Sequence, residues 1–216
     1  PLLFWTWVRA LQQRILKDEF PTAEQLWTRP NSNFLFAVLS DRRGSAIWCD
    51  IRLSSPRETC EEQVRVALDD ALGWLVDRYG RDLSTWTWGE EHTLDMQGSP
   101  ISSRGLLTDL LSLQAPISGD PFTQFLTSFG VEEDRPFLVS AGSNFQAVMS
   151  ISEAAGSYYI SPAGQSGHPL SRFYDNLFPS WIQGEYLTMS TDLSLARGGA
   201  SGISRLTPAT SDNPRM

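Results

Sequence analysis

Few side chains in this sequence stand where they could do covalent chemistry. Ser166 lies in Gly164-Gln165-Ser166-Gly167-His168, which invites comparison with the nucleophile elbow G-x-S-x-G of serine hydrolases. The comparison fails at His168, where the elbow needs glycine to let a strand turn into a helix without a clash. A Ser166, His168, Asp175 triad can be written down, but a serine and a histidine two residues apart in one tight loop seldom bring imidazole to hydroxyl. His92 is the other histidine, and no cysteine, histidine or carboxylate cluster at ligand spacing accompanies it, so it reads as a hydrogen-bonded residue at a packed joint. Glu90-Glu91 reads as a solvated pair rather than an acid/base dyad. Pro1 is a secondary amine and a conceivable base, yet nothing around it resembles the small tautomerases that use one. Cys49 and Cys60 are too few for a metal cluster, and their spacing leaves both a disulfide and two buried thiols open.

The elements that must hold these residues can be read more firmly. Phe145 to Ile151 and Ser157 to Ile160 are rich in β-branched and aromatic residues, and Glu153-Ala-Ala-Gly156 is short enough to join them as a hairpin. Gly164 and Gly167 bracket Gln165-Ser166 and suggest backbone that needs positive φ or close approach at both positions. Apolar residues at Leu3, Trp7, Leu11, Ile15 and Leu16 predict an amphipathic helix over Leu2 to Phe20, ending before Pro21. Phe34 to Leu39 fits a strand or a buried helix. Thr59-Cys-Glu-Glu62 has the form of a capping box, and Val64, Leu68, Ala71, Leu72, Leu75 and Tyr79 form a stripe that Gly80 should stop. In Trp86 to His92 an extended backbone would put the Trp86 and Trp88 rings on one side, beside Gly89. Asp95 to Gly130 reads as a long irregular connection, Phe137 to Ala141 as a strand, and residues 191 to 216 as a flexible tail.

Composition narrows the classes of function. With 216 residues, 41% of them apolar and 11% aromatic, the chain can bury a substantial core. A net charge of −8 without a Lys/Arg cluster argues against a nucleic-acid surface. No apolar run approaches the ~18 residues of a membrane span, and the opening Pro1 to Trp5 run lacks the basic region and cleavage site of a signal peptide.

Several motifs in order resemble the penicillin acylase (penicillin amidase) family. They are Cys60 ahead of a helix, Trp86-Thr-Trp-Gly-Glu-Glu-His92 as W-x-W-G-x-x-H, Gly119-Asp-Pro-Phe-Thr123 as G-D-x-x-T, and the G-Q-S-G loop at Gly164. After that loop come P-x-S-x-x-Y-D, from Pro169 to Tyr174 and Asp175, and W-x-x-G-x-Y from Trp181 to Tyr186. Together they span roughly residues 48 to 190. The resemblance implies an α+β fold, the helices and outer antiparallel strands of an αββα sandwich, with residues 1 to 190 as the C-terminal part of the larger subunit of an N-terminal-nucleophile hydrolase. Such an enzyme is made as a precursor (a zymogen) and hydrolyses a non-peptide acyl amide, such as an antibiotic side chain or an acyl-homoserine lactone, through an acyl-enzyme.

The nucleophile, its α-amino base and the oxyanion donors are then expected upstream, with no catalytic residue, cofactor or metal ligand in this chain; family members often bind a structural calcium elsewhere. The implied partners are the upstream segments of the same precursor and a small-molecule amide, and the implied compartment is the periplasm or the exterior. That setting in turn implies a Cys49–Cys60 disulfide. The sequence departs from the family pattern at Gln146, Ser150 and Asn176, where an arginine, an aspartate and a glutamine are usual. The alternative of another class is a non-catalytic binding or scaffolding domain that kept the fold.

Overall fold

The computed structural model describes residues 1–22, 28–51, 55–97, 112–130, 134–151, 156–190 and 192–199. It is an α+β arrangement in which helices come first and small antiparallel sheets follow. Helix α1 runs Leu2–Leu16 and buries Leu2, Trp5, Val8, Leu11, Ile15 and Leu16. The expected stripe was out of phase at its start: Leu3 and Phe4 are exposed, whereas Leu2, Trp5 and Val8 face inward. Apolar side chains surround the first turn of this helix, so the 3.6-residue period admits two phases there. The buried Gln12 favours the inward phase by accepting from the Asn31 N–H (2.9 Å) and donating to Arg29 O, and the buried Thr6 satisfies its hydroxyl within the helix on Leu2 O (2.8 Å).

Helix α2 (Ser32–Leu39) begins at Asn31, whose side chain accepts from the Phe34 N–H. The helical alternative therefore holds for Phe34 to Leu39. A left-handed turn at Asp41 to Gly44 leads into a 3-10 segment ending at Cys49.

Helix α3 (Cys60–Tyr79) starts with the predicted reciprocal cap: Thr59 Oγ1 accepts from the Glu62 N–H, and Glu62 Oε2 accepts from the Thr59 N–H. It stops at Gly80, where φ is +77°, a conformation glycine adopts without steric cost. Its innermost row is Gln63, Ala67, Ala71 and Leu75, while Leu68 is 40% exposed. The small Ala67 and Ala71 let α1 approach closely, and the Trp7 indole N–H reaches the Val64 carbonyl across the gap. Arg14 spans the same seam, bonding Gln63 Oε1 and Asp70, each at 2.9 Å. Leu11, Ile15 and Leu75, each with at most 2% exposure, contribute about 1.5–3 kcal/mol apiece on burial.

Beyond Gly80 the two readings that change most are the Trp86 segment and the connection after it. Trp88–Glu91 is a single helical turn, α4, not extended chain. Asp95 to Gly130 contains an antiparallel pair, β1 (Thr93–Gln97) and β2 (Ser112–Pro116), with Leu94 opposite Ala115 and Met96 opposite Leu113. Strand β3 (Thr127–Ser128) pairs with β4 (Ala141–Gly142). The strand expected at Phe137 to Ala141 is thus short, supplemented by a parallel bridge between Leu94 and Val139.

Strands β5 (Gln146–Val148), β6 (Ser157–Ile160) and β7 (Leu187–Met189) form an antiparallel sheet in that order. The expected hairpin pairing is present; residues 153–155 of its turn lie outside the described residues. Helix α5 (Phe178–Gln183) covers this end, where Ile160, Leu177, Phe178 and Trp181 join Leu94, Ile117 and Val139 in a second core. Leu193–Gly199, expected to be frayed, is a short exposed helix, α6; the rest of the expected tail lies outside the described residues. Among the described residues no helix is long and apolar enough to cross a membrane.

Candidate functional site

The singled-out residues assemble at three places. At the first, Cys49 and Cys60 form a disulfide across 11 positions. Cys49 is fully buried in the helical core, so the bond ties the 3-10 segment to the start of α3.

The second place gathers Trp86, Trp88, Gly89, His92 and the Gly119 motif. The Trp86 indole N–H donates to Gly80 O, closing the end of α3, and the Trp88 indole N–H donates to Gly119 O (3.1 Å). A Cβ on Gly89 would stand 3.1 Å from the Pro116 side chain, so the turn sits tightly on the end of β2. In the 119–123 motif the Phe122 N–H donates to Asp120 Oδ1 and the Asp120 N–H to Thr123 Oγ1.

His92 lies under all of this without solvent contact, stacked on Trp88 at 4.2 Å. Its Nδ1 is 3.1 Å from Phe137 O, and its Nε2 is 2.9 Å from Thr127 Oγ1. A carbonyl can only accept, so Nδ1 carries the proton and Nε2 accepts from the threonine hydroxyl. Burial lowers the pKa from 6.5 to about 4, against smaller opposing contributions from the Phe137 carbonyl and from Asp120. The ring is neutral near pH 7 with both nitrogens engaged, leaving none for proton transfer or a metal.

Glu91 corrects the reading of Glu90-Glu91 as a solvated pair. Glu91 is buried, and its carboxylate accepts from both the Arg78 guanidinium and the Tyr79 hydroxyl. Burial, then the bond to Glu91, pushes the Tyr79 phenol up to about 12. A buried carboxylate needs such donors, and Arg78 and Tyr79, thirteen and twelve residues earlier at the end of α3, supply them once α3 and α4 pack.

The third place is the loop from Gly164 to Gly167 with Tyr174, Asp175 and Trp181. The Gly164 N–H donates to Tyr174 O (2.9 Å) and the Ser166 N–H to Phe173 O (3.0 Å), so the loop is pinned to the chain that follows it. Gly164 answers the expectation of close approach, since a Cβ there would fall 1.9 Å from Phe173 O. Gly167 does not: its φ is not positive and a Cβ would meet nothing within 4 Å. Gln165 is exposed on the same loop. Ser166 Oγ accepts from the backbone N–H of His168, while His168 Nδ1 accepts from that of Leu170. Each side chain thus caps local backbone, and the imidazole is not set as a base for the hydroxyl. Asp175 is exposed, and its carbonyl accepts from the Phe178 N–H in the turn that leads into α5. Gln146, at a position where the family pattern departs, accepts from the Tyr186 hydroxyl.

Trp181 is 1% exposed and packs on Phe125 at 4.9 Å. It borders a cavity of about 430 Å³ that is also lined by residues 94–96 and 138–144 and by Pro162. Sequence reasoning missed this cavity, because its wall at β1 lies in the stretch expected to be irregular. Among the described residues, no group of three or more His, Cys, Asp or Glu side chains gathers to hold a metal ion.

A family model described as "Penicillin amidase" matches residues 1–195. The acyl-homoserine lactone acylase QuiP of Pseudomonas aeruginosa is 23% identical to this chain over 206 residues, covering 86% of this chain and 24% of that protein. The chain therefore spans about a quarter of the length of the curated relative it matches.

Proposed function

The chain belongs to the penicillin amidase family, and from that premise we propose that it is the C-terminal part of the larger subunit of an amidohydrolase acting on acyl amides. The family match along residues 1–195 is the observation that carries this reading. Its three small antiparallel sheets serve as outer strands of an αββα sandwich, completed by the upstream segments of the same precursor. In the whole enzyme the N-terminal serine of the larger subunit attacks the amide carbonyl, and its own α-amino group takes the proton. The amine departs with a proton, and water then cleaves the acyl ester. The nucleophile lies outside this chain. The local engagement of Ser166, His168 and His92 supports that assignment, since none of them forms a base–nucleophile pair.

The substrate class is a small N-acyl amide, with an acylated homoserine lactone or a β-lactam side chain as the leading candidates, and the compartment is the periplasm or the cell exterior. The first substrate is proposed from the name of the Pseudomonas relative. To test the reading, the chain would be produced alone and together with the polypeptide encoded upstream, and release of homoserine lactone and of a chromogenic phenylacetyl amide would be followed. Turnover only in the joint preparation is expected. A joint preparation that associates but hydrolyses neither amide would instead make the chain a non-catalytic module.

A further inference from the structure

A hollow of about 230 Å³ is lined by one face of α1, one face of α3 and the side of Phe137. Ala10 and Gln13 on α1, and Asp70 and Trp74 on α3, recur at the three- and four-residue spacing that puts side chains on one face of a helix. Its apolar lining is Ala10, Ala71, Trp74 and Phe137. The two alanines are too small to fill the space that the aromatic pair frames. Trp74 and Phe137 meet edge to face at 6.2 Å, and the Arg78 guanidinium lies over the Trp74 ring at 5.3 Å, so the aromatic part is packed before any ligand arrives. Pockets for drug-sized ligands run to about 300–1,000 Å³. This one suits a smaller molecule, with a single ring or a short chain.

The charged lining is Arg9, Arg14 and Asp70. Arg14 donates from Nε to Gln63 Oε1 and from Nη1 to Asp70 Oδ2, and its Nη2 takes part in neither bond. The Arg14 side chain is 29% exposed and that of Asp70 49%, so both are open to an arriving ligand. Two guanidinium groups against one carboxylate leave the lining with an excess positive charge, on a chain whose net charge is −8. Guanidinium N–H groups match the two oxygens of a carboxylate in geometry as well as in charge.

We propose that this hollow binds a small carboxylate with an apolar body, its charge on Arg14 and Arg9 and its body against Trp74 and Phe137. A neutral ligand leaves the positive charge unmatched, and a cation meets two like charges. Hydrolysis of an acyl amide releases an acid of this class, so the ligand is the acid half of the substrate. That identification rests on the reading of the chain as part of an amidohydrolase; the match of charge and shape does not. Asp70 holds one amino group of Arg14 and repels an incoming carboxylate, so it limits the affinity.

The test uses the joint preparation of residues 1–216 and the upstream polypeptide, treated first with a sulfonyl fluoride that caps reactive serine. Phenylacetate is the probe, titrated by calorimetry. Phenylacetamide, its uncharged counterpart, should bind at least tenfold more weakly. Arg14→Gln should weaken phenylacetate at least tenfold, as should Ala10→Leu, which fills the hollow from a half-buried position on α1. Asp70→Asn keeps an acceptor for Arg14 and should tighten phenylacetate about threefold, the size of an exposed charge contact; a folding defect cannot imitate that gain. Absence of phenylacetate binding, equal binding of phenylacetamide, or an affinity that Asp70→Asn does not raise overturns the proposal. Amide hydrolysis by the uncapped preparation is measured alongside. Hydrolysis together with any of those three results leaves the enzyme reading intact, whereas the expected binding without hydrolysis supports the site and removes the enzyme.

Discussion

Acidification from pH 7 to pH 5 should destabilise this chain through His92, and the size of the effect follows from its burial. The folded-state pKa is lowered from 6.5 to about 4, first by desolvation. Near pH 7 the ring is neutral in both the folded and unfolded chain. As the pH falls below 6.5 the unfolded chain takes up a proton that the folded chain refuses, so stability drops until about pH 4, where both states are protonated. At about 1.36 kcal/mol per pH unit, the loss from pH 7 to pH 5 is about 2 kcal/mol, approaching about 3 kcal/mol at lower pH. His92→Gln cannot titrate and should lack this component, although it loses stability at every pH through the stack on Trp88 and the bonds to Phe137 and Thr127. The assay is urea unfolding of both proteins at pH 7, 6 and 5. Carboxylates contribute equally to the two series, so the informative quantity is the difference between their pH slopes. Parallel slopes would refute the assignment of His92 as a buried neutral histidine.

Replacing Glu91 with alanine should cost about 1.5–3 kcal/mol, the worth of hydrogen bonds to a charged group, and Tyr79→Phe should cost less, because Arg78 remains bonded to the carboxylate; urea midpoints for the two variants check the order. Gly164→Ala should cost about 3 kcal/mol through collision with Phe173 O, whereas Gly167→Ala should stay within about 0.5 kcal/mol; equal losses on thermal melting would contradict the geometry of the loop. Reducing the Cys49–Cys60 bond should remove about 3 kcal/mol, the value expected for closing so short a loop, and mass spectrometry of unreduced protein should find neither thiol free.

Much of the fold was legible where local chemistry decides it. The Thr59–Glu62 cap and the Gly80 stop define α3 from backbone needs alone, and the hairpin partners of β5 and β6 were visible in their β-branched and aromatic content. The stripes on α1 and α3 slipped because small and polar residues, Thr6, Gln12, Gln63 and Ala67, take inward positions that hydrophobicity does not mark. Gln63 bonds Arg14 across the seam, Gln12 bonds the Arg29–Asn31 backbone, Thr6 satisfies its hydroxyl on Leu2 O within α1, and Ala67 allows close approach. Strands β1 and β2 were missed although Leu94 and Met96 alternate with Thr93, Asp95 and Gln97; β2 carries a proline at its end, Pro116, and five-residue strands flanked by Gly, Pro and Ser carry little signal. Glu91 was misread for a related reason, since its donors are adjacent only after α3 and α4 have packed. The Gly164 loop shows the limit of motif reading: one glycine is demanded by a carbonyl at contact distance, and its twin at 167 is not.

The most direct measurement of the central claim is the position of the covalent label left by a slow-turnover acyl ester, or by a sulfonyl fluoride that captures activated serines. It would be read by peptide mass spectrometry on the active joint preparation of this chain and its upstream polypeptide. The account predicts a single label outside residues 1–216, at the new N-terminal residue of the larger subunit, with Ser166→Ala labelled to the same extent. A label on Ser166, or on any other residue of this chain, would contradict it.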